Sequence, residues 1–276
     1  MNLDLANIKL IVTDLDGTLL NSKHEVSPLF FELFKVLKKH NILFVAASGR
    51  PYYSIIEKLE AIKEDIIVVA ENGSIAMEQD DLILSTPMNT NKLLEIESLI
   101  NGNDKIHPIY CTHSKAYFSK KSSEDDYIKT LMEYYPNFAL IESISEIEED
   151  ILKIALYHSE DSEKHIYPLF KKFEPEYKIK ISGKNFLDIS DKLAHKGHAV
   201  SLLQNKYKIT QAETLIFGDY NNDLEMLRLA TYSFAMENAH ENVIKTANYK
   251  TKSNDNFGVE LILKQLIKDK INFQMQ

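Results

Sequence analysis

Lys9-Leu10-Ile11-Val12-Thr13-Asp14-Leu15-Asp16-Gly17-Thr18 is the stretch on which the fold of this chain turns. Its first half is a short run of apolar and β-branched residues with no polar alternation, the pattern of a strand buried on both faces in a parallel sheet. Two carboxylates follow at once, then a glycine that lets the chain turn sharply. Downstream, Ser27 is placed to cap a helix with Pro28 at its first position, and Phe30, Leu33, Phe34 and Leu37 recur at helical spacing. A second apolar run at residues 42–47 ends at Ser48-Gly49-Arg50 and a helical pattern follows Pro51. A third, at 66–70, ends at Glu71-Asn72-Gly73. Short apolar strands alternating with helical patterns predict parallel strands joined by crossover helices.

From about residue 85 to about 183 the rhythm changes. Longer amphipathic segments, at 91–100 and 124–135, stand among strands such as 152–158, which reads as a separate α+β module. The earlier rhythm then returns with a helix opening at Lys196-Gly197, a strand at 214–217 ending in Gly218-Asp219, a helix at 222–229 and a closing helix at 259–271. The expected architecture is therefore α/β: a doubly wound parallel-sheet core made of residues 1–84 and 186–276, interrupted by an α+β insertion at 85–185.

Composition narrows the partners. The 276 residues are 44% hydrophobic and 26% charged, as in a folded globular protein. The formal net charge of -9 comes with no concentrated basic stretch, which argues against nucleic acid as a partner. Cys111 is the single cysteine, so no intrachain disulfide can form; the start of the chain lacks the pattern of a signal peptide, and no apolar run approaches the ~20 residues that span a bilayer. A cytoplasmic protein with no membrane partner is expected, as a monomer or small homo-oligomer.

Three polar clusters, Asp14-Leu15-Asp16-Gly17-Thr18, Ser48-Gly49-Arg50 and Gly218-Asp219-Tyr220-Asn221-Asn222-Asp223, fall just after predicted parallel strands, where ligands bind in open α/β sheets. Hydrolysis of a phosphate monoester needs a nucleophile, neutralisation of charge on the phosphoryl oxygens and a proton for the leaving oxygen. Asp14, rigid at a strand end, suits the nucleophile. Asp16, two residues on, is expected to be protonated by neighbouring negative charge and to act as the acid. The Ser48 hydroxyl with the amides around Gly49, and the ammonium of Lys196, suit the phosphoryl oxygens. Asp219 completes an all-oxygen site for Mg2+.

Competing readings of single motifs are weaker. Asp219, Asn221 and Asp223 alternate like the first ligands of an EF-hand, but Leu224 and Ala230 stand where that loop needs Gly and Glu. Ser182-Gly183-Lys184-Asn185 lacks the earlier glycine and the following hydroxyl of a nucleotide loop. His195 and His198 read as surface or capping residues, Tyr134 and Tyr135 as core of the insertion, and Cys111 as an inert thiol.

Taken together and in this order, the four motifs resemble those of the haloacid dehalogenase superfamily of phosphatases, specifically its Cof-type branch, and the likeness spans the whole chain. The resemblance implies a Rossmann-like core with an inserted cap at 85–185 and a small phosphorylated metabolite, above all a sugar phosphate, as substrate. It implies that Asp14 is nucleophile and Mg2+ ligand and that Asp16 is the acid/base whose backbone carbonyl also meets the metal. Ser48, Gly49 and Lys196 would hold phosphate, Asp219 would bind metal, and Asn222 would lie near the phosphate or the metal's water, with Thr18, Arg50 and Asp223 in support. Tyr220 departs from the small residue many relatives carry, which bears on loop packing. A phosphotransferase or mutase using the same aspartyl-phosphate, or a binding module retaining the scaffold, are the alternatives.

Overall fold

Residues 10–13 are buried along their length and form β1 (Leu10–Thr13), at the centre of the larger of two sheets. The protein is described from a computed structural model covering residues 3–79, 81–122, 131, 135 and 137–274. Chain order continues with β2 (Leu43–Ala47), β3 (Ile67–Ala70), β4 (Ile75–Glu78) and β5 (Asp81–Ser85). The insertion carries β6 (His107–Cys111), β7 (Ala116–Ser119), β8 (Phe138–Ile141), β9 (Lys153–Tyr157), β10 (Lys178–Ile181) and β11 (Phe186–Ser190). The chain returns through β12 (Thr214–Gly218), β13 (Tyr232–Ala235) and β14 (Tyr249–Lys250).

The eight-stranded sheet runs β14-β13-β12-β1-β2-β3-β4-β5. It is parallel from β14 to β3 and turns antiparallel at β4. Register sets Thr13 beside Phe217 on one side and Ala46 on the other. The chain leaves β1 toward β2 on one side and comes back to β12 on the other, so the carboxyl ends of all three meet at a topological switch point. The residues that follow these strands are Asp14, Ser48 and Asp219.

Helices cover the sheet for reasons visible locally. Helix Pro28–Lys39 begins with Ser27 accepting from the Phe30 amide and Pro28 in the first turn. Its buried Phe30 and Phe34 rings pack on Phe44 of β2 at centroid distances of 5.3 and 5.6 Å. Helix Lys196–Tyr207 is capped by the side chain of His195, which accepts from the His198 amide, in keeping with a capping role. Its Ala199, Val200 and Leu203 pack with Val12, Val45 and Ile216 of the sheet. The closing helix is Gly258–Gln274, and the expected helix at 222–229 is a 3-10 turn, Asn221–Asp223, followed by Leu224–Leu227.

The second sheet runs β10-β11-β9-β6-β7-β8 and is antiparallel except for β7 with β8. Ile154, Leu156, Leu187 and Ile189 pack with Phe170 and Phe173 on one face. On the other, Tyr135 joins Ile109 and Phe118; Tyr134 and most of the amphipathic segment 124–135 lie outside the described residues. The chain divides into two compact units, one of Met1–Arg50, Ile55–Leu84 and His195–Gln276, the other of Pro51–Ser54 and Ser85–Ala194. The second unit therefore extends past residue 185: β11 bonds to β9 and β10, a pairing its alternating sequence does not reveal. Among the described residues no helix is long and apolar enough to cross a membrane.

One close approach places the start of the Lys196 helix. Gly73 has φ +100°, and a Cβ there would lie 2.4 Å from the backbone oxygen of His195. Gly73→Ala is expected to destabilise the protein by about 2–4 kcal/mol, from a strained backbone and a clash with main chain. Gly183→Ala, with open space around its Cβ among the described residues, is expected to be near neutral. Thermal unfolding of the two variants checks this; equal midpoints would show that the approach carries no such constraint.

Candidate active site

Asp14 follows β1, its amide donating to the Phe217 carbonyl at 3.2 Å. Lys196 is fully buried at the first position of its helix. Its ammonium donates to Asp14 Oδ1 and, at 2.7 Å, to Asp223 Oδ1. Burial pushes the Asp14 carboxyl well above the usual carboxylate range; Lys196 pulls it back, while Asp223 and Asp219 push it up. Burial acts to lower Lys196, but Asp14 and Asp223 outweigh it and hold the ammonium above the ordinary lysine range. The lysine is thus a fixed positive charge.

Asp223, wholly buried, uses both oxygens: Oδ1 takes Lys196, and Oδ2 accepts the amides of Asp219 at 2.9 Å and Tyr220 at 3.1 Å. It ties the loop after β12 to the lysine. Asp219 Oδ1 accepts from the Thr18 hydroxyl at 2.9 Å. Burial first, then Asp223, pushes its pKa up to about 6 against that hydrogen bond. Gly17, at φ +80°, is required here, since a Cβ would lie 2.3 Å from Asp219 Oδ2.

Carboxylate oxygens of Asp14, Asp219 and Asp223 lie within 4.8 Å of one another. Three carboxylates facing one ammonium leave excess negative charge, and an all-oxygen donor set of this kind suits a hard divalent cation. Because Asp223 is committed to Lys196 and two amides, Asp14 and Asp219 are the residues whose oxygens could hold one.

The loop after β2 lies alongside. Ser48 is buried; its carbonyl accepts from the Asn72 amide at 2.9 Å and its hydroxyl from the Arg50 amide at 3.1 Å. A Cβ on Gly49 would crowd the Asn72 side chain at 3.0 Å. Asn72, in the turn after β3, also accepts at Oδ1 from Asn222 Nδ2 at 3.0 Å, joining that turn to the loop after β12. Sequence reasoning named Asn72 only as the end of a strand. Its left-handed φ of 55° is a conformation asparagine tolerates, and the Asn-Gly pair was the available signal. Asn238, not singled out from the sequence, donates to the Gly17 carbonyl at 2.8 Å.

One expectation is reversed. Asp16 is held as a carboxylate, not a protonated acid, because its neighbour is a cation. Arg50 Nε donates to Oδ2 at 2.7 Å and Nη2 to Oδ1 at 2.6 Å, and His24 Nδ1 lies 3.2 Å from Oδ1. Burial raises its pKa, but the Arg50 fork and His24 overcome this and hold the carboxyl below the usual range. The metal-competent cluster therefore gathers Asp14, Asp219 and Asp223 and leaves the Asp16 side chain out.

Comparison with known proteins supplies the family. The family model for haloacid dehalogenase-like hydrolases matches residues 11–263. The chain is 29% identical over 270 residues to the 5-amino-6-(5-phospho-D-ribitylamino)uracil phosphatase YbjI of Escherichia coli strain K12, covering 97% of this chain and 99% of that protein. A phosphatase named for the same activity, YwtE of Bacillus subtilis strain 168, is 26% identical over 285 residues, covering 94% of this chain and 98% of that protein. Among solved structures, SMU.1108c from Streptococcus mutans UA159 superposes with a TM-score of 0.82 at 32% identity, covering 95% of this chain and 99% of that one. The burial of an aspartate–lysine–aspartate triad at the switch point of a parallel sheet and the match along nearly the whole chain lead to one conclusion: this protein belongs to the haloacid dehalogenase-like hydrolase family and is a phosphatase of its Cof-type branch.

Proposed function

We propose that the protein is a magnesium-dependent phosphomonoesterase that carries the phosphoryl group on Asp14. The observation that supports this most directly is the set of buried Asp14, Lys196 and Asp223 with half-buried Asp219, in which a nucleophile, a fixed cation and a cation-seeking carboxylate converge. Bound by Asp14 and Asp219, Mg2+ supplies positive charge that screens the repulsion between carboxylate and phosphate. An Asp14 oxygen attacks phosphorus and the bond to the leaving oxygen breaks, that oxygen taking a proton from Asp16 after this carboxyl has left Arg50 and been protonated from solvent. Water then attacks phosphorus, passing a proton to Asp16, and the bond to Asp14 breaks. Lys196 keeps Asp14 in place and draws charge from the phosphoryl oxygens, with the Ser48 hydroxyl, the Gly49 loop and Asn222 holding the phosphate.

The substrate in this reading is a small phosphorylated metabolite. Sugar phosphates are one class; the ribitylaminouracil phosphate in the names of two relatives is another. The inserted unit, Ser85–Ala194 with Pro51–Ser54, serves as the cap that selects the leaving group. The enzyme is placed in the cytoplasm as a monomer or small homo-oligomer, without nucleic-acid or membrane partners.

Purified protein is expected to release phosphate from p-nitrophenyl phosphate with Mg2+ and not with chelator, and Asp14→Asn to reduce release at least about a thousandfold. Release that persists in the variant would remove Asp14 as nucleophile.

The site also leaves a thermodynamic mark. Asp219 titrates higher in the fold, about 6, than the ordinary 3.8, so its ionised form disfavours the metal-free fold, increasingly as pH rises through that interval and fully above it. At pH 7.5 in chelator, Asp219→Asn is expected to raise the thermal midpoint by about 2–5 °C. Mg2+ should stabilise the wild type and not the variant. A midpoint that falls in chelator, or an undiminished response to Mg2+, would count against this role.

A further inference from the structure

The least expected contact in the site is the grip of Arg50 on Asp16. The guanidinium fork occupies both carboxylate oxygens, at 2.7 and 2.6 Å, and His24 adds a third partner at 3.2 Å. A carboxylate so engaged reaches no leaving oxygen, and Asp16 is absent from the cluster around Asp14. The two partners are not equally free to move. Arg50 is fixed through its backbone, its amide donating to Ser48 Oγ at 3.1 Å and its carbonyl accepting from the Glu71 amide at 3.0 Å. Asp16, with 41% of its side chain exposed, is open to solvent on one side.

We propose that Arg50, supported by His24, is a latch that parks Asp16 in a resting position, and that Asp16 does its acid/base work only after leaving it. The inference rests on the phosphatase reading above and adds to it a second position for Asp16 and a role for His24. Arg50 is in these terms a positioning residue. Each turnover includes a swing of Asp16 from the fork to the leaving oxygen, with uptake of a proton from solvent once Arg50 has let go, and the latch sets what fraction of enzyme is ready.

Leaving-group dependence isolates this step. Formation of aspartyl-phosphate, reported by kcat/KM, needs a proton from Asp16 when the leaving group is an alkoxide, as in glycerol 2-phosphate. It needs little help when p-nitrophenolate leaves. The ratio of kcat/KM for glycerol 2-phosphate to that for p-nitrophenyl phosphate is expected to rise about three- to tenfold in Arg50→Gln, the span of a modest, partly exposed ion pair. It should rise less in Arg50→Lys, which keeps charge but not the fork, and less again in His24→Ala. In Asp16→Asn it should collapse. A ratio unchanged or lowered in both Arg50 variants would overturn the latch, whereas a wild type that releases no phosphate from either ester would defeat the phosphatase reading itself. A crystal structure with Mg2+ and beryllium trifluoride on Asp14 gives an independent check: Asp16 is expected off Arg50, and an Asp16 still in the fork overturns the proposal even if the variants fail to fold.

Discussion

The buried ammonium of Lys196 between Asp14 and Asp223 is the interaction on which the rest of this site depends. Removing charges from water is expensive unless they are paired with good geometry and their remaining valences satisfied. Here the pairing is shared by three elements: the end of β1, the first turn of helix Lys196–Tyr207 and the loop after β12. Asp223 meets the second condition by spending its other oxygen on two backbone amides of its own loop. Local structure and long-range charge are thereby one arrangement, and neither half is stable alone.

With Asp219 beside it the cluster is left under-compensated, since three carboxylates stand around one ammonium. That deficit suits the site to a cation, and it carries a stability penalty that a functional site tolerates because the surrounding sheet is deeply buried. The hydrophobic cluster of Val12, Val45, Val69 and Ile216 lies under the strand ends. Its rigidity is what keeps like charges close without the loops opening. Gly17 serves the same end from outside the sheet, allowing the turn after β1 to come against Asp219 where any side chain would collide.

Asp16 illustrates a different balance. Two residues from a buried carboxylate, it would be an acid if proximity along the chain were all that mattered. Its actual partner is Arg50, 34 positions away, and a bidentate guanidinium with His24 beside it outweighs burial. The same side chain thus faces opposite demands in rest and in turnover, and a contact that can be broken reconciles them.

Most of the fold and the outline of the site were legible from local pattern. Unbroken apolar runs marked β1, β2, β3 and β12 because strands buried on both faces leave no room for polar residues. The polar clusters that follow them marked the site because parallel strands deliver their carboxyl ends to one edge. The sequence by itself determined which residues stand at those ends. What only the tertiary structure decided is which partner each one takes: Arg50 for Asp16, Lys196 and two amides for Asp223, Asn222 for Asn72, and β9 and β10 for β11. Hydrophobic periodicity is a property of neighbours along the chain and can be read there, whereas the partner of a charge or of a strand edge is set by distances between residues far apart in sequence, which exist only once the chain has folded.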